Sequence, residues 1–431
     1  MEENPNVQEE IVEEVEETVE DTAEEIIEDE DFELPKLNLP KVDLSKIKLP
    51  KIKLPQFKKS ESAPKQTKRV KLKKSAKILL AVIAALILTV VGMLTIPGMV
   101  DRSNLKKLGY SEEAIEKIYE LKWEGMILEG SLYSDNLNNS ITKESFRKEF
   151  IDLYLNTDSL TNDDFLLYSK LILKGYEKSD VLSMFSALEF WEMTPLLVFD
   201  YVEDVTAYIR DVDTHRVVNS QSAFTLSGNY ITYYAETEQT ENQGSIEMMV
   251  NKRYYLSSDY VPGSLENMSV VYASKGLTLN AEAYEAFKQM CDAAKTAFEA
   301  KNPVMYASSA YRDYTYQADL YDTYVRRYGE EEADTIAARP GHSEHQTGLT
   351  VDIASTTNGG LSKFGESQEY QWMLSNAHKY GWILRYPEGK EDITGYSAEP
   401  WHWRYVGTDL ATKIYNSKLT FDEYYMLYMV D

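Results

Sequence analysis

The sequence predicts an α+β domain over residues 225–431, preceded by a helical module over residues 98–224 and by one hydrophobic span. From about residue 225 onwards, aromatic strand-like segments alternate with amphipathic helical segments. Before that point, apolar side chains recur at helical spacing. Residues 78–97 carry no charge. A chain of 431 residues is also too long for a single core, which favours two or more units.

Charge is unevenly distributed over residues 1–77. Residues 1–33 carry 17 acidic side chains and no basic ones, a composition typical of a disordered tail. Residues 34–77 carry 15 Lys and Arg, and their Lys/Pro repeat excludes a continuous helix. We expect this repeat to be extended, either as a spacer or in contact with the anionic inner leaflet of a membrane. Residues 1–77 sum to −4, so residues 78–431 carry −22 of the total net charge of −26, which argues against nucleic acid as the main partner.

The hydrophobic span, residues 78–97, predicts a transmembrane helix. At about 1.5 Å per residue it nearly crosses a bilayer core of roughly 30 Å. It has no polar face, which disfavours a helix in a soluble core. Basic residues are denser before the span than after it, so the positive-inside rule predicts a cytoplasmic N-terminus. The predicted location is the cell membrane, with a single span and an extracellular catalytic domain.

The helical module contains two similar segments, "LGYSEEAIEKIYEL" at 108–121 and "KGYEKSDVLSMFSAL" at 174–188. Each begins with Gly-Tyr and continues with apolar residues at helical spacing. Ser111 is the predicted N-cap of the first helix. Neither segment contains a cluster of chemically reactive side chains. We expect a spacer or a binding module.

The α+β region gives a series of element predictions. Helices are expected near 280–300, 316–328 and 367–380, and Cys291 falls on the apolar face of the first as a buried small side chain. Gly381 is placed to end the third helix. Strands are expected within 244–262, 303–311, 382–387 and 402–407.

Several potential metal ligands lie within this region. A catalytic zinc ion takes three protein ligands of the His, Asp or Glu type, and a further carboxylate is needed to transfer protons. Pro400 in "EPWH" excludes the helical zinc motif of other metallopeptidases. Spacing alone does not decide between the two neighbouring histidines. The candidates are His342, His345, Asp352, Glu399 and His402.

From about Met249 to its end, the chain resembles the VanY-type D-alanyl-D-alanine carboxypeptidases and the related LD-carboxypeptidases of bacterial cell walls. The resemblance implies a zinc D-Ala-D-Ala peptidase (Hedgehog-like) fold with an antiparallel sheet. It does not extend to residues 1–225. Five segments in family order carry it: "VNKRYYLSSDYVP", "SSAYRDYTYQ", "ARPGHSEHQTGLTVDIA", "GWILRYPEGKEDITGY" and "EPWHWRYVG".

The resemblance implies a role for each motif residue. The Zn²⁺ ligands would be His345, Asp352 and His402, whereas His342 matches no family ligand. Glu399 would be the catalytic base. Arg312 would face the scissile peptide, where its positive fork suits an oxyanion or a substrate carboxylate.

Other positions match the family less specifically. The substrate groove would be lined by Gln317, Ser343, Tyr386 and Trp401. Arg385 and Arg404 flank the motifs and are predicted to be structural or pocket-wall charges. Three residues depart from the family pattern without removing a ligand or the base: Ala310, Thr350 and Ala398.

The function implied is that of a membrane-anchored zinc D,D-carboxypeptidase that removes the terminal D-alanine from peptidoglycan stem peptides. One alternative is an L,D-carboxypeptidase acting on tetrapeptide stems, because the motifs are shared. Another is a non-catalytic cell-wall binding or scaffold protein. A third places the main function in the cytoplasmic tail, as a tether for a partner.

Overall fold

The computed structural model describes residues 100–216, 226–228 and 230–430. The predicted acidic tail, Lys/Pro repeat and hydrophobic span all lie outside these residues. The predicted division into a helical module and a catalytic domain places its boundary at residues 224 and 225, which also lie outside them.

The prediction of a single-pass membrane protein is corrected. No helix among the described residues is both long enough and apolar enough to cross a membrane. The predicted orientation, with a cytoplasmic N-terminus and an extracellular catalytic domain, is corrected as well, because it depended on that span. The prediction depended on the composition of the span and of its two flanks, and the span itself lies outside the described residues.

The first part of the described chain is helical. Helical residues 100–108 precede the labelled elements. These are α1 (Glu112–Leu121), α2 (Glu124–Gly130), α3 (Asp135–Ser140), a 3₁₀ turn (Lys148–Phe150), α4 (Ile151–Asn156), α5 (Asn162–Leu173), α6 (Lys178–Ala187), α7 (Phe190–Met193), α8 (Pro195–Val198) and α9 (Val205–His215).

The two similar segments of the sequence adopt similar local structures. Gly109 and Gly175 both have positive φ angles, +118° and +108°, which favour glycine. The tyrosines that follow, Tyr110 and Tyr176, are both buried. The Ser111 side chain accepts a hydrogen bond from the amide of Ala114, so the predicted N-cap is confirmed. Each Gly-Tyr pair therefore directs an aromatic ring into the core just before a helix.

The second part combines short strands with helices. Its strands are β1 (Glu238–Gln239), β2 (Tyr254–Tyr255), β3 (Leu265–Asn267), β4 (Thr278–Asn280), β5 (Met305–Ser309), β6 (Thr350–Ser355), β7 (Trp382–Leu384) and β8 (His402–Tyr405). Its helices are α10 (Ala281–Ala297), α11 (Tyr314–Tyr328), α12 (Glu330–Ile336), α13 (Gln368–Asn376), α14 (Glu391–Thr394), α15 (Thr408–Ser417) and α16 (Phe421–Tyr428), with 3₁₀ turns at Glu344–Thr347, Leu361–Glu366 and Ala377–Tyr380. The predicted mixture of helix and sheet is confirmed.

A four-stranded antiparallel sheet forms the centre of this second part. Its strand order is β5-β6-β8-β7. All six residues of β6 are buried, as expected for a strand covered on both faces. Helix α10 packs on the sheet with Phe287 and Cys291, which share one apolar cluster with Trp382 and Val351. The predicted burial of Cys291 is confirmed.

One apolar cluster joins the helical part to the second part. It includes side chains from α1 and α5, such as Ile115 and Leu171, together with Ile383, Val406 and Leu427. Helix α16 packs against both α5 and α8. The helical part and the sheet region therefore share buried apolar surface.

The expected strand within 244–262 is wrong for most of its length. Only Tyr254–Tyr255 is a strand, and the rest is irregular. The side-chain oxygen of Asn251 accepts hydrogen bonds from the amides of Arg253 and Tyr254. Such local bonds compete with the ladder of a sheet, which explains the interruption. The other predicted strands and helices are present, although β7 and β8 are shorter than expected.

Candidate metal centre and substrate groove

The register of the central sheet brings two predicted ligands together. Asp352 on β6 lies directly opposite His402 on β8, and it also pairs with Ser309 on β5. Directly opposed residues of antiparallel strands hold their side chains close together on the same face. Residues 50 positions apart in sequence are thereby neighbours in the fold.

His345 reaches the same place from a 3₁₀ turn, Glu344–Thr347, just before β6. Gly348 ends this turn with φ +68°, and its amide bonds back to the carbonyl of His345. A β-carbon at Gly348 would lie 3.0 Å from Pro262 and 3.2 Å from Leu265. Both the left-handed conformation and the close packing favour glycine at this position.

The three side chains form a compact group. His345 Nε2 lies 3.3 Å from Asp352 Oδ2, and His402 Nδ1 lies 3.3 Å from Asp352 Oδ1. One possible ligand atom from each residue lies within 4.8 Å of the others, and all three residues are buried. The two imidazole rings are perpendicular, with centroids 5.0 Å apart.

The other ring nitrogen of each histidine contacts an oxygen atom on the side away from the metal-binding atoms. His345 Nδ1 lies 2.6 Å from the carbonyl oxygen of Ala310 and therefore donates its proton there. His402 Nε2 lies 3.3 Å from the Glu344 carboxylate. These contacts select the tautomers that leave His345 Nε2 and His402 Nδ1 as lone-pair donors. The imidazoles would thus bind a metal through different nitrogens.

The pKa values of the two histidines are shifted in opposite directions. Burial, helped by the nearby Arg312 cation, lowers the pKa of His345 to about 4, so its imidazole is neutral at neutral pH. Burial also disfavours charge on His402, but the carboxylates of Asp352, Glu344 and Glu399 raise its pKa well above the usual value. This part of the site therefore favours a positive charge.

These residues fit a zinc ion. Zinc accepts two imidazole nitrogens and a carboxylate oxygen as a catalytic ligand set, with one position left open. His345 Nε2 is buried and has no hydrogen-bond partner among the described residues. Burial would raise the pKa of Asp352, yet both histidines hold it well below its usual range, so the carboxylate is ionised. A divalent cation would satisfy both features.

Glu399 and Arg312 lie at the edge of this group. Glu399 Oε2 is 3.3 Å from His402 Nδ1, and its side chain is 17% exposed, so it faces both the metal-binding atoms and solvent. Arg312 donates from Nε to Gln317 and from Nη1 to Ser309, and Nη1 lies 3.6 Å from Asp352. The guanidinium is thus fixed beside the metal ligands.

All of the predicted site residues line one groove of about 600 Å³. This size is within the usual range for a small-molecule or peptide site. The structure thus brings together every residue that the sequence proposed for the ligands, the base, the arginine and the groove walls. These are Arg312, Gln317, Ser343, His345, Asp352, Tyr386, Glu399, Trp401 and His402.

Two of the predicted groove residues also have internal contacts. Gln317 is almost fully buried, accepts from Arg312 Nε and donates to the carbonyl of Ala338. The Tyr386 ring lies 4.8 Å from the His402 ring. Gln317 is therefore placed to orient Arg312, and Tyr386 to support His402.

Sequence reasoning missed Glu344, Ser309 and Tyr396. Glu344 is buried between Arg385 and Arg404, at 2.9 and 3.0 Å. Burial would raise its pKa, but the two arginines hold it well below its usual range. Its position directly before His345 was a possible signal. Ser309 and Tyr396 lie within two of the segments that carry the family resemblance, but nothing in those segments singled them out, since only the fold brings them to the groove.

His342 lies outside the metal group. Its Nδ1 is 2.8 Å from the carbonyl oxygen of Asn251, and its ring packs edge-on against Tyr234 at 4.9 Å. Burial lowers its pKa. Its partners are thus a backbone carbonyl and aromatic rings.

Comparison with known proteins identifies the family. The profile of the VanY family, described as D-alanyl-D-alanine carboxypeptidase, matches residues 276–408. A Bacillus subtilis (strain 168) protein named "Putative carboxypeptidase YodJ" is 38% identical over 225 residues, covering 50% of this chain and 81% of that protein. A D-alanyl-D-alanine carboxypeptidase of Enterococcus faecalis (strain ATCC 700802 / V583) is 33% identical, covering 43% of this chain and 68% of the relative.

Among solved structures, the LD-carboxypeptidase LdcB is 38% identical, with a TM-score of 0.41 over 47% of this chain and 92% of that one. A VanY mutant from a VanB-type resistance cassette, solved with Zn(II), is 33% identical, with a TM-score of 0.35 over 41% of this chain and 97% of that one.

The chain belongs to the VanY family of D-alanyl-D-alanine carboxypeptidases. The predictions of a metallo-carboxypeptidase and of Zn²⁺ as its cofactor are confirmed. The individual roles of the site residues stay predictions.

Proposed function

We propose that this protein is a zinc D,D-carboxypeptidase that removes the terminal D-alanine from peptidoglycan stem peptides. The observation that carries the proposal is the convergence of His345, Asp352 and His402 with Glu399 and Arg312 in one groove. The names of two relatives, each a D-alanyl-D-alanine carboxypeptidase at 33% and 30% identity, support the choice of substrate.

The metal would be held by His345 Nε2, His402 Nδ1 and the Asp352 carboxylate. When bound, zinc lowers the pKa of water and polarises a carbonyl oxygen. The protein's own contribution begins with the contacts of Ala310 and Glu344, which fix the orientation of the two imidazoles.

Glu399 is the proposed general base and acid. Its backbone is fixed, because its amide donates to the carbonyl of Tyr386 and its carbonyl accepts from the amide of His402. The carboxylate takes a proton from the attacking water as the new C–O bond forms. It returns that proton to the amine of the leaving D-alanine as the C–N bond breaks.

Arg312 is the proposed oxyanion or carboxylate partner. Gln317 and Ser309 hold its Nε and Nη1, and no described residue accepts a hydrogen bond from its Nη2. A guanidinium fixed in this way stabilises negative charge on the carbonyl oxygen without having to reorganise during the reaction. It would equally pair with the free carboxylate of the substrate.

The described residues that line the groove lie between 308 and 402. We therefore propose that residues 225–431 form the catalytic domain, and that residues 98–224 form a helical module that shares an apolar cluster with it. A groove of about 600 Å³ exceeds the needs of one alanine, which supports recognition of a longer stem peptide.

Mass spectrometry of defined stem peptides tests the proposal. The full-length protein, loaded with Zn²⁺, is incubated with a pentapeptide and, separately, with a tetrapeptide, and Glu399→Gln serves as the control. We expect the pentapeptide to lose one alanine and to stop at the tetrapeptide. Conversion of tetrapeptide to tripeptide with the pentapeptide untouched would instead establish L,D-activity. No cleavage of either by a zinc-loaded protein would contradict the proposal.

A further inference from the structure

A series of buried charged side chains contacts the ring nitrogen of the proposed metal ligand His402 that does not face the metal. We call Glu344, Arg385 and Asp422 the ion-pair chain. All three side chains are at most 3% exposed. They connect the metal centre to helix α16, which lies beyond residue 408, where the match to the family profile ends.

In the first step of the ion-pair chain, the two oxygens of the Glu344 carboxylate make different contacts. Oε2 lies 3.3 Å from His402 Nε2. Oε1 accepts from Arg385 Nε at 2.9 Å and from Arg404 Nη1 at 3.0 Å. The contact with the metal ligand therefore depends on both arginines using Oε1 and leaving Oε2 free.

The second step explains why Arg385 offers only one nitrogen to Glu344. Its Nη1 donates to Asp422 Oδ2 at 2.5 Å, and its Nη2 donates to Asp422 Oδ1 at 3.1 Å. This is a two-point contact between guanidinium and carboxylate, the strongest arrangement for this pair. Without Asp422, the Nε and Nη2 atoms of Arg385 could both pair with Glu344 and take Oε2 away from His402.

The third step fixes Asp422 itself. Asp422 is the second residue of α16 and also accepts from Asn251 Nδ2 at 2.8 Å. The next residue, Glu423, completes the capping box with Thr420 and accepts from Thr194 at 2.8 Å. Thr194 belongs to the helical part of the chain. Asp422 is thus held by its own contacts with Arg385 and Asn251, whereas Glu423 makes separate contacts with the helical part and with the N-cap of α16.

We propose that Asp422 is a positioning residue for the metal ligand His402. By occupying the Nη1 and Nη2 atoms of Arg385, it keeps Glu344 Oε2 on His402 Nε2 and so keeps His402 Nδ1 directed at the metal. The inference rests on the metal-binding role proposed for His345, Asp352 and His402. It adds to that role a support whose last member, Asp422, lies beyond the residues that the family profile matches.

A simpler account is that Asp422 only balances the charge of Arg385. Both accounts predict that losing Asp422 destabilises the fold, because it leaves a buried charge with fewer partners. Only the positioning role predicts a loss of zinc affinity in protein that remains folded. Metal affinity and folding stability must therefore be measured separately.

The test uses the full-length protein with Asp422→Asn, which keeps the side-chain shape but removes the charge. Glu423→Gln is a matched control, since Glu423 is a buried acid on the same helix that does not contact Arg385. Zinc affinity is measured by competition with a chromogenic chelator, and folding by urea denaturation. The Co²⁺-substituted protein reports the ligand geometry through its visible spectrum.

We expect Asp422→Asn to bind zinc roughly tenfold more weakly, at the lower end of the range for residues behind a metal ligand. Its Co²⁺ spectrum should also change. Glu423→Gln should remain within about twofold of the parent in zinc affinity while losing stability. Asp422→Asn with parent affinity and an unchanged spectrum would overturn the inference. So would an equal loss of affinity in Glu423→Gln.

If Asp422→Asn does not fold, Asp422→Glu takes its place. It keeps the negative charge beside Arg385, but the longer side chain cannot reproduce the two-point contact that the shorter carboxylate makes. A roughly tenfold loss of zinc affinity is expected, and parent affinity in this folded variant would overturn the inference. A parent protein that binds no zinc would instead contradict the proposed metal site.

Discussion

The metal centre and the cluster around Lys252 both bury polar side chains against the loop that carries His342 and His345, yet they do so in different ways. In the metal centre, His345 Nε2 has no hydrogen-bond partner among the described residues. In the second region, which we call the tyrosine cluster, Lys252 Nζ donates to the carbonyl of Asp334. It also lies 3.8–4.9 Å from the ring centroids of Tyr233, Tyr234 and Tyr396.

This difference separates a structural site from a chemical one. Buried polar groups are normally hydrogen-bonded, so burial by itself does not indicate function. His342 follows the rule, since it contacts a backbone carbonyl and two tyrosine rings. His345 is an exception, because its buried Nε2 has no hydrogen-bond partner among the described residues and faces a second imidazole and a carboxylate. A buried nitrogen that lacks a hydrogen-bond partner and faces further potential metal ligands is thus the more informative signal.

The largest expected difference between the two regions follows from replacing one histidine of each. We expect His345→Ala to lose zinc and all measurable peptide hydrolysis, because one of three protein ligands is gone. His342→Ala should keep both zinc and activity, and lose roughly 1 kcal/mol of stability through lost packing on Tyr234. Zinc content per chain and D-alanine release are the measurements. Loss of zinc in His342→Ala would make the two regions one site.

The second prediction separates metal binding from proton transfer. Glu399→Gln should lower kcat by roughly 10²–10⁴-fold, because the amide cannot accept and return a proton. Zinc content should stay at the parent level, since Glu399 is not one of the three proposed ligands. Steady-state kinetics on a defined pentapeptide, together with zinc analysis, checks this. A parent-like kcat would exclude Glu399 as the base.

The third prediction concerns the arginine beside the metal ligands. Arg312→Ala should lower kcat/KM by roughly 10²–10³-fold, as for the loss of a preorganised oxyanion partner. Arg312→Lys should recover only part of this, since an ammonium cannot contact Gln317, Ser309 and substrate with one planar fork. A change confined to KM would assign Arg312 to the substrate carboxylate. Unchanged kinetics in both variants would remove it from the mechanism.

The smallest expected effect lies in the tyrosine cluster. Burial lowers the pKa of Lys252 to about 7, against the attraction of the surrounding ring faces. Between pH 7 and 9 the unfolded chain therefore binds a proton at Lys252 that the folded chain lacks, so this group favours folding more strongly as pH rises. We expect the parent to gain stability relative to Lys252→Met over this window.

Urea denaturation of both proteins at pH 7, 8 and 9 measures that difference, in which the other titrating groups cancel. A difference independent of pH would show that Lys252 stays charged in the fold. In that case the ring faces, rather than burial, would dominate its energetics.

The candidate metal ligands could be predicted because their motifs are local and resemble those of the VanY-type family, a resemblance that selects among the histidines. Ser343 to Asp352 lies within ten residues, and Glu399 and His402 are three apart, so the sequence alone contained both halves of the site. Joining them required only the antiparallel register that sets Asp352 opposite His402. The wider fold class followed for the same reason, from the alternation of helical and strand-like segments.

The support behind the ligands could not be predicted in this way. Glu344 meets Arg385 and Arg404 across 41 and 60 residues, and Asp422 meets Arg385 across 37. No short pattern connects such residues, and each arginine alone is consistent with a pocket wall. The prediction of a long strand near Asn251 was wrong for the opposite reason. The composition favours a strand, but local hydrogen bonds to the Asn251 side chain interrupt it.

The location of zinc in the full-length protein tests the central claim most directly. Anomalous diffraction from crystals at energies on either side of the zinc edge gives that location without reference to activity. We expect one peak in contact with His345 Nε2, His402 Nδ1 and Asp352, with Glu399 close by but not bound. A peak held by His342, or the absence of any peak at the three predicted ligands in zinc-loaded protein, would contradict the account.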